Sequence, residues 1–140
     1  MFGVGSIPWS PLARGVLTRP LSEQKSTTRA QTDQWISIYT GSGTPDIVNR
    51  FVVLSRSLNY RPERSLDCRV EEIAKKKGAT MAQIAIAWSL SKPGVTAPIV
   101  GTTSLKNLED IIGAVDIQLT EEEIKYLEEP YQPCATAGHT

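Results

Sequence analysis

Histidine is nearly absent from this 140-residue chain: the single one, His139, is second from the C-terminal end. A histidine-centred active site is therefore not expected. Two cysteines, Cys68 and Cys134, are too few and too widely spaced for a disulfide scaffold or a zinc cluster. Net charge is missing as well, since 15 Lys+Arg balance 15 Asp+Glu. A nucleic-acid binder needs a basic surplus to neutralise phosphates, so none is expected here. A local anion site stays open. No run of about 18 apolar residues occurs, which excludes a hydrophobic helix crossing a membrane. Near Met1 there is no basic stretch followed by an apolar core, so a secretory signal is not expected and a cytoplasmic location is. Length is short too. A complete eight-stranded α/β barrel needs roughly 200 residues or more, whereas one domain of roughly 100–150 residues fits.

What is present is the balance of an ordinary globular chain, 40% hydrophobic and 21% charged. Residues 3–8, with Val4 and Ile7 apolar and Pro8 closing the run, read as a short strand. From Trp9 to Pro45 the chain reads mostly as loop, punctuated by Pro11, Gly15, Pro20, Gly41 and Gly43. The later part is more regular. Thr80 is placed to cap a helix running to about Ser91, with Met81, Ile84, Ala85 and Trp88 on one stripe. Lys92-Pro93-Gly94 ends it. Ala97-Pro98-Ile99-Val100 reads as a buried strand, and Ser104 caps a helix with the stripe Leu105, Leu108, Ile111, Ile112 and Val115. Thr120 and Glu123 form a capping box for a last helix with Ile124 and Leu127 inside, stopped by Pro130. Strands alternating with helices point to βαβ units and a parallel sheet.

Residues 51–69 differ from their flanks. They hold four of the chain's eight arginines, no lysine, and Pro62, which breaks a helix. Joining Arg50 directly to Val70 places Ile47, Val70, Ile73 and Ala74 at i, i+4, i+7 and i+8, one helical stripe. Asp46 then falls in the first turn and Lys75, Lys76 and Lys77 in the last, as the helix dipole favours. Two readings stand: an inserted segment, such as a translated intron or a gene-model error, or else a genuine basic loop or second short helix.

Two segments have the form of a phosphate site. Gly101-Thr102-Thr103-Ser104 lies between the second strand and a capped helix, where free amides, a glycine and hydroxyls receive anions; Lys106 and Asn107 follow in the first turn. Such junctions also occur without any ligand. Trp9-Ser10-Pro11-Leu12-Ala13-Arg14-Gly15 follows the first strand, where Trp9 could stack a planar ring and Arg14 grip a phosphate. The alternative makes Trp9 a core aromatic and Arg14 a surface charge. Two such loops after consecutive strands carry more weight than either, because (β/α)8 barrels hold phosphate in the loops after strands 7 and 8.

Three stretches then resemble one family. Ile7-Pro8-Trp9-Ser10-Pro11-Leu12-Ala13-Arg14-Gly15-Val16-Leu17-Thr18 is similar to the seventh-strand segment of the aldo-keto reductases. Residues 82–90 followed by Ala97-Pro98-Ile99-Val100-Gly101-Thr102-Thr103-Ser104 resemble their last helix, strand and loop. Leu127-Glu128-Glu129-Pro130-Tyr131, with Gly138-His139, resembles the fungal aryl-alcohol-dehydrogenase-like branch. The resemblance covers nearly the whole chain apart from residues 51–69. It implies the C-terminal part of a (β/α)8 barrel, its last two strand–helix units and tail, and NADP(H)-dependent reduction of a small-molecule aldehyde or ketone to an alcohol.

By that resemblance, Trp9 stacks on the nicotinamide, while Ser10, Pro11, Leu12 and Arg14 cover the pyrophosphate. Gly101, Thr102 and Thr103 hold the 2′-phosphate, and Asn107, Asp110 and Ile111 face the adenosine. Many members carry Lys or Arg near the Thr103 position and Asn where Ile111 stands, so this chain departs at both. The family's Asp–Tyr–Lys–His tetrad lies on earlier strands that no segment here matches, and no catalytic residue is assigned. Tyr39, Tyr60, Tyr126 and Tyr131 lack the matching context. Two expectations follow: a reductase by descent that is inactive as this isolated chain, or a non-catalytic cofactor-binding or interaction module derived from the same fold.

Overall fold

A computed structural model describes residues 4–20, 23, 31–32 and 66–129. Two extended segments pair in parallel, Ser6 with Val95 and Trp9 with Ile99. The pairing is a short ladder: the Ser6 amide donates to Gly94 O (2.6 Å), Thr96 N to Ser6 O (2.8 Å), Ile99 N to Pro8 O (2.8 Å) and Ser10 N to Ile99 O (3.3 Å). Around it lie a 3-10 segment Ala13–Thr18, helices α1 Leu66–Lys77, α2 Met81–Leu90 and α3 Leu105–Ile112, a second 3-10 segment Gly113–Asp116, and helix α4 Glu121–Glu128.

The helix boundaries follow local chemistry. Thr80 accepts from Gln83 N (3.2 Å), and the Gln83 side chain returns a bond to Thr80 N (3.0 Å). That capping box goes beyond the single cap expected from Thr80, although Thr-x-x-Gln carries its signature. Ser104 caps α3 through Asn107 N. Thr120 and Glu123 cap α4 reciprocally, as expected. Each such cap is worth about 1 kcal/mol. At its other end α1 stops at Gly78, whose φ of +64° is the left-handed turn glycine tolerates best. Ala79 N then closes back on Ala74 O (3.0 Å).

Helix α2 is the centre of the packing. Its expected stripe holds: Met81, Ile84 and Ala85 are buried and Trp88 packs against their cluster, with Val70, Ile73 and Ala74 of α1, Leu127 of α4, and Ala13, Val16 and Leu17. Its other side is buried as well. Ala82 and Ile86 meet Ile111 and Ala114, with Leu12, Leu90 and Val100 at the rim. A helix apolar all round is an interior helix.

Three expectations need correcting. Ala97–Val100 is not a buried strand: Ala97 is exposed and Ile99 is 51% exposed. Among the described residues its one partner is the segment around Ser6–Trp9, and Pro98 has no amide to donate. The α3 stripe is buried only at Ile111, whereas Leu105 (79%), Ile112 and Val115 lie open, with Leu108 at the margin of exposure. The periodicity is that of an amphipathic helix, but the second surface its apolar face needs is not among the described residues. Finally, residues 13–18 are not plain loop. They form a 3-10 segment whose Ala13, Val16 and Leu17 belong to the main core.

The proposed junction at 50/70 falls partly outside the described residues, as do Tyr39, Tyr60, Pro130, Tyr131 and His139. On the described side, α1 begins at Leu66.

Candidate functional site: two loops at one strand end

The parallel register sets the geometry. Because Trp9 pairs with Ile99 and Ser10 N reaches Ile99 O, the loops starting at Ser10 and at Gly101 leave the same end of adjacent segments.

The first loop is tightly wound. Ser10, Ala13 and Arg14 have φ values of +56°, +48° and +57°, and Gly15 follows at +95°. Non-glycine residues in the left-handed region are uncommon, and several together mark a backbone held by its surroundings. Here the holding groups are local: Ala13 N donates to Ser10 O (3.0 Å), Gly15 N to Leu12 O (2.9 Å) and Arg14 N to the Ser10 hydroxyl (3.4 Å). Thr18 Oγ1 donates to Gly15 O (2.7 Å). Ala13, Val16 and Leu17 anchor the far side in the core. Trp9, 58% exposed, is not a core aromatic. The Arg14 guanidinium lies 5.8 Å from its ring centroid. A flat aromatic face beside a cation suits a planar ring and an attached phosphate.

The second loop differs from expectation in its hydroxyls. Thr102 Oγ1 accepts from Ser104 N (3.2 Å), and Ser104 Oγ accepts from Asn107 N (3.5 Å). Both are engaged in shaping the turn and capping α3. Thr103 is the exposed hydroxyl, with exposed Lys106 and Asn107 one turn on. A Cβ at Gly101 would meet nothing within 4 Å, so the fold alone imposes no glycine there.

Two residues assigned to the adenosine side are otherwise engaged. Asp110 accepts from the Thr80 hydroxyl (2.8 Å), and its carbonyl accepts from Gln83 Nε2 (2.7 Å). It ties α3 to the start of α2. Ile111 is 8% exposed, a core residue facing Ala82 and Ile86 rather than an open site. Leu12 ties the first loop to the interior by packing against both core clusters.

Sequence reasoning did not find two side-chain clusters on α4. Arg69 Nη1 donates to Tyr126 O (2.6 Å) and to Glu129 (2.7 Å), and its guanidinium covers the Tyr126 ring at 4.4 Å. The Tyr126 hydroxyl donates to Glu72 (2.5 Å). That bond favours the neutral phenol and, with burial, raises its pKa. At the other end Glu128 accepts from Trp88 Nε1 (2.8 Å) and pairs with Lys92. These contacts span 36 to 60 residues, beyond the reach of any periodic pattern. Among the described residues, no group of three His, Cys, Asp or Glu could hold a metal, and no helix is long and apolar enough to cross a membrane.

Residues 1–132 match the aldo/keto reductase family. The chain belongs to that family. It is 45% identical over 133 residues to versiconal hemiacetal acetate reductase of Aspergillus parasiticus, covering 95% of this chain and 34% of that protein. A Schizosaccharomyces pombe protein provisionally named an aryl-alcohol dehydrogenase is 42% identical over 137 residues, covering 97% and 33%. An aldo-keto reductase of Fusarium vanettenii is 40% identical over 140 residues, covering 99% and 32%. The aldo-keto reductase chain described here thus spans about a third of the length of these relatives. The family is one of oxidoreductases that act on small-molecule carbonyls or alcohols with a nicotinamide cofactor, and its fold is the (β/α)8 barrel.

Proposed function

We propose that this chain is the cofactor-gripping C-terminal part of an NADP(H)-dependent aldo-keto reductase, which reduces an aldehyde or ketone to an alcohol in the cytoplasm. The observation that carries the reading is the common origin of the two loops, fixed by the Trp9–Ile99 pairing. In this reading Trp9 stacks on the nicotinamide. Ser10, Pro11, Leu12 and Arg14 border the pyrophosphate, and Gly101, Thr102 and Thr103 border the 2′-phosphate with Lys106 beside them. Asn107 is the residue of α3 left to meet the adenosine, since Asp110 is drawn toward Thr80. When bound, the cofactor supplies the hydride. The chain's own residues orient it; none is assigned as the proton donor, and catalysis needs such a donor within hydrogen-bond reach of the carbonyl.

A 140-residue chain that grips the cofactor without turning over substrate is the working form of this reading. Tryptophan fluorescence should test it. NADPH is expected to quench emission saturably, and Trp9→Ala should weaken binding about tenfold, since one stacked ring contributes roughly 1–2 kcal/mol. Unchanged affinity in Trp9→Ala, or no saturable quenching, would count against it.

A further inference from the structure

The arginine that locks α1 to α4 comes from the anomalous 51–69 stretch. Arg69 is its last residue, and its side chain is only 12% exposed between Tyr126 and Glu129. Leu66, three residues earlier, opens α1. Joining Arg50 to Val70 replaces this turn with Ile47-Val48-Asn49-Arg50. Leu66 and Ile47 then occupy the same position, four before Val70. Arg69 and Arg50 likewise both stand immediately before Val70. Each version offers an apolar residue on the stripe of Val70 and Ile73, and an arginine three residues on.

The genetic code is compatible with such a removal. Every phenylalanine codon begins with T, so Arg50 encoded as AGG places GT across the Arg50–Phe51 boundary. Arg69 encoded as AGA or AGG supplies AG as its first two bases. Between them lie 57 nucleotides, the length of 19 codons. Excision from that GT through that AG joins AG of codon 50 to the last base of codon 69, which again encodes arginine, in frame with Val70.

We propose that residues 51–69 are an in-frame removable segment, and that the chain has two forms which seat different arginines, Arg69 or Arg50, in one lock on Tyr126 and Glu129. Removal takes out four arginines, Glu63 and Asp67, so the formal net charge moves from zero to −2. The shorter form is therefore the more acidic. The long form carries Arg56, Arg61 and Arg64 in addition to the same lock.

Amplifying the message across codons 49–70 tests the first half directly and does not depend on folding. A product 57 nucleotides shorter, reading Asn49-Arg-Val70, is expected; a message population that retains codons 51–69 in every copy overturns the proposal. Hydrogen exchange of the α1 amides tests the lock. In the 140-residue chain Arg69→Ala should speed exchange roughly tenfold and Arg50→Ala should not, because a hydrogen bond to a charged group contributes about that much. In the shorter form Arg50→Ala should acquire the effect. Arg50→Ala that is silent in both forms overturns the shared lock.

Discussion

Ile84→Ala is expected to lower the unfolding free energy of the chain by about 3 kcal/mol, the usual range for truncating a fully buried aliphatic side chain. Ile84 is 0% exposed and sits where α1, α2, α4 and the Ala13–Thr18 segment meet. The loss includes the transfer free energy of the deleted methyl and methylene groups. It also includes the unfilled space, because neighbours on three elements cannot all close in. Urea titration followed by circular dichroism measures it, with the slope unchanged so that the midpoint shift reports stability. Leu105→Ala is the internal comparison. It deletes a similar side chain from a largely exposed position, and a change under about 0.5 kcal/mol is expected. Equal effects at both positions would show that the core does not form around α2.

The second large effect is expected at Glu123, a carboxylate only 7% exposed at the start of α4. Its side chain accepts from Thr120 N (2.9 Å) and pairs with Lys77 (2.9 Å) and, at 3.5 Å, with Lys76. Burial by itself would raise its pKa. The Thr120 amide and the two ammonium groups outweigh burial and hold it below the ordinary 4.5. Glu123→Ala removes the return half of the capping box and leaves Lys77 beside a gap, with a loss of about 2 kcal/mol. The pH dependence follows from the direction of the shift. A carboxyl whose folded pKa is depressed contributes fully above its unfolded value and loses that contribution as pH falls through the folded one. The wild-type advantage over Glu123→Ala should therefore be constant near neutrality and shrink below about pH 4.5. An advantage that grows on acidification would contradict the assignment.

The contrast between these two residues shows what the sequence makes legible. Ile84 lies on a 3.6-residue stripe, and burial follows such stripes whenever a neighbour is present to cover them. The Thr120–Glu123 box is readable for the same reason: its partners lie within one turn. The pairing of Glu123 with Lys77 is not, because only the tertiary fold brings α1 and α4 together. Arg69 and Tyr126 meet across 57 residues by the same route. Leu105 and Val115 show the converse. Their periodicity correctly marks a helix, but periodicity says only which face wants cover, not whether cover is at hand. The strand read at Ala97–Val100 fails similarly, since apolar runs signal burial only inside a sheet flanked on both sides.

For the candidate site, the common origin of the two loops was legible because both follow consecutive extended segments, which the structure pairs in parallel. Their internal wiring was not. Thr102 and Ser104 offer the same hydroxyl chemistry as Thr103 in the sequence, yet two of the three are bonded to backbone amides. Asp110 was assigned to the cofactor by resemblance, and the structure adds a contact to Thr80 that ties α3 to α2. Ile111 is drawn inward by Ala82 and Ile86. Under the proposed function, cofactor grip would therefore rest more on Trp9, Arg14 and Thr103 than a residue-by-residue transfer suggests.

Aldehyde-dependent NADPH oxidation decides the central question, measured for the 140-residue chain alone and for a chimera carrying the remaining two thirds of the Aspergillus parasiticus reductase ahead of it. Turnover in the chimera, none above background in the chain alone, and loss of the chimera's turnover in Trp9→Ala is the expected result. Turnover by the isolated chain, or a folded chimera that binds no NADPH, would contradict the assignment of this segment as the cofactor-gripping part.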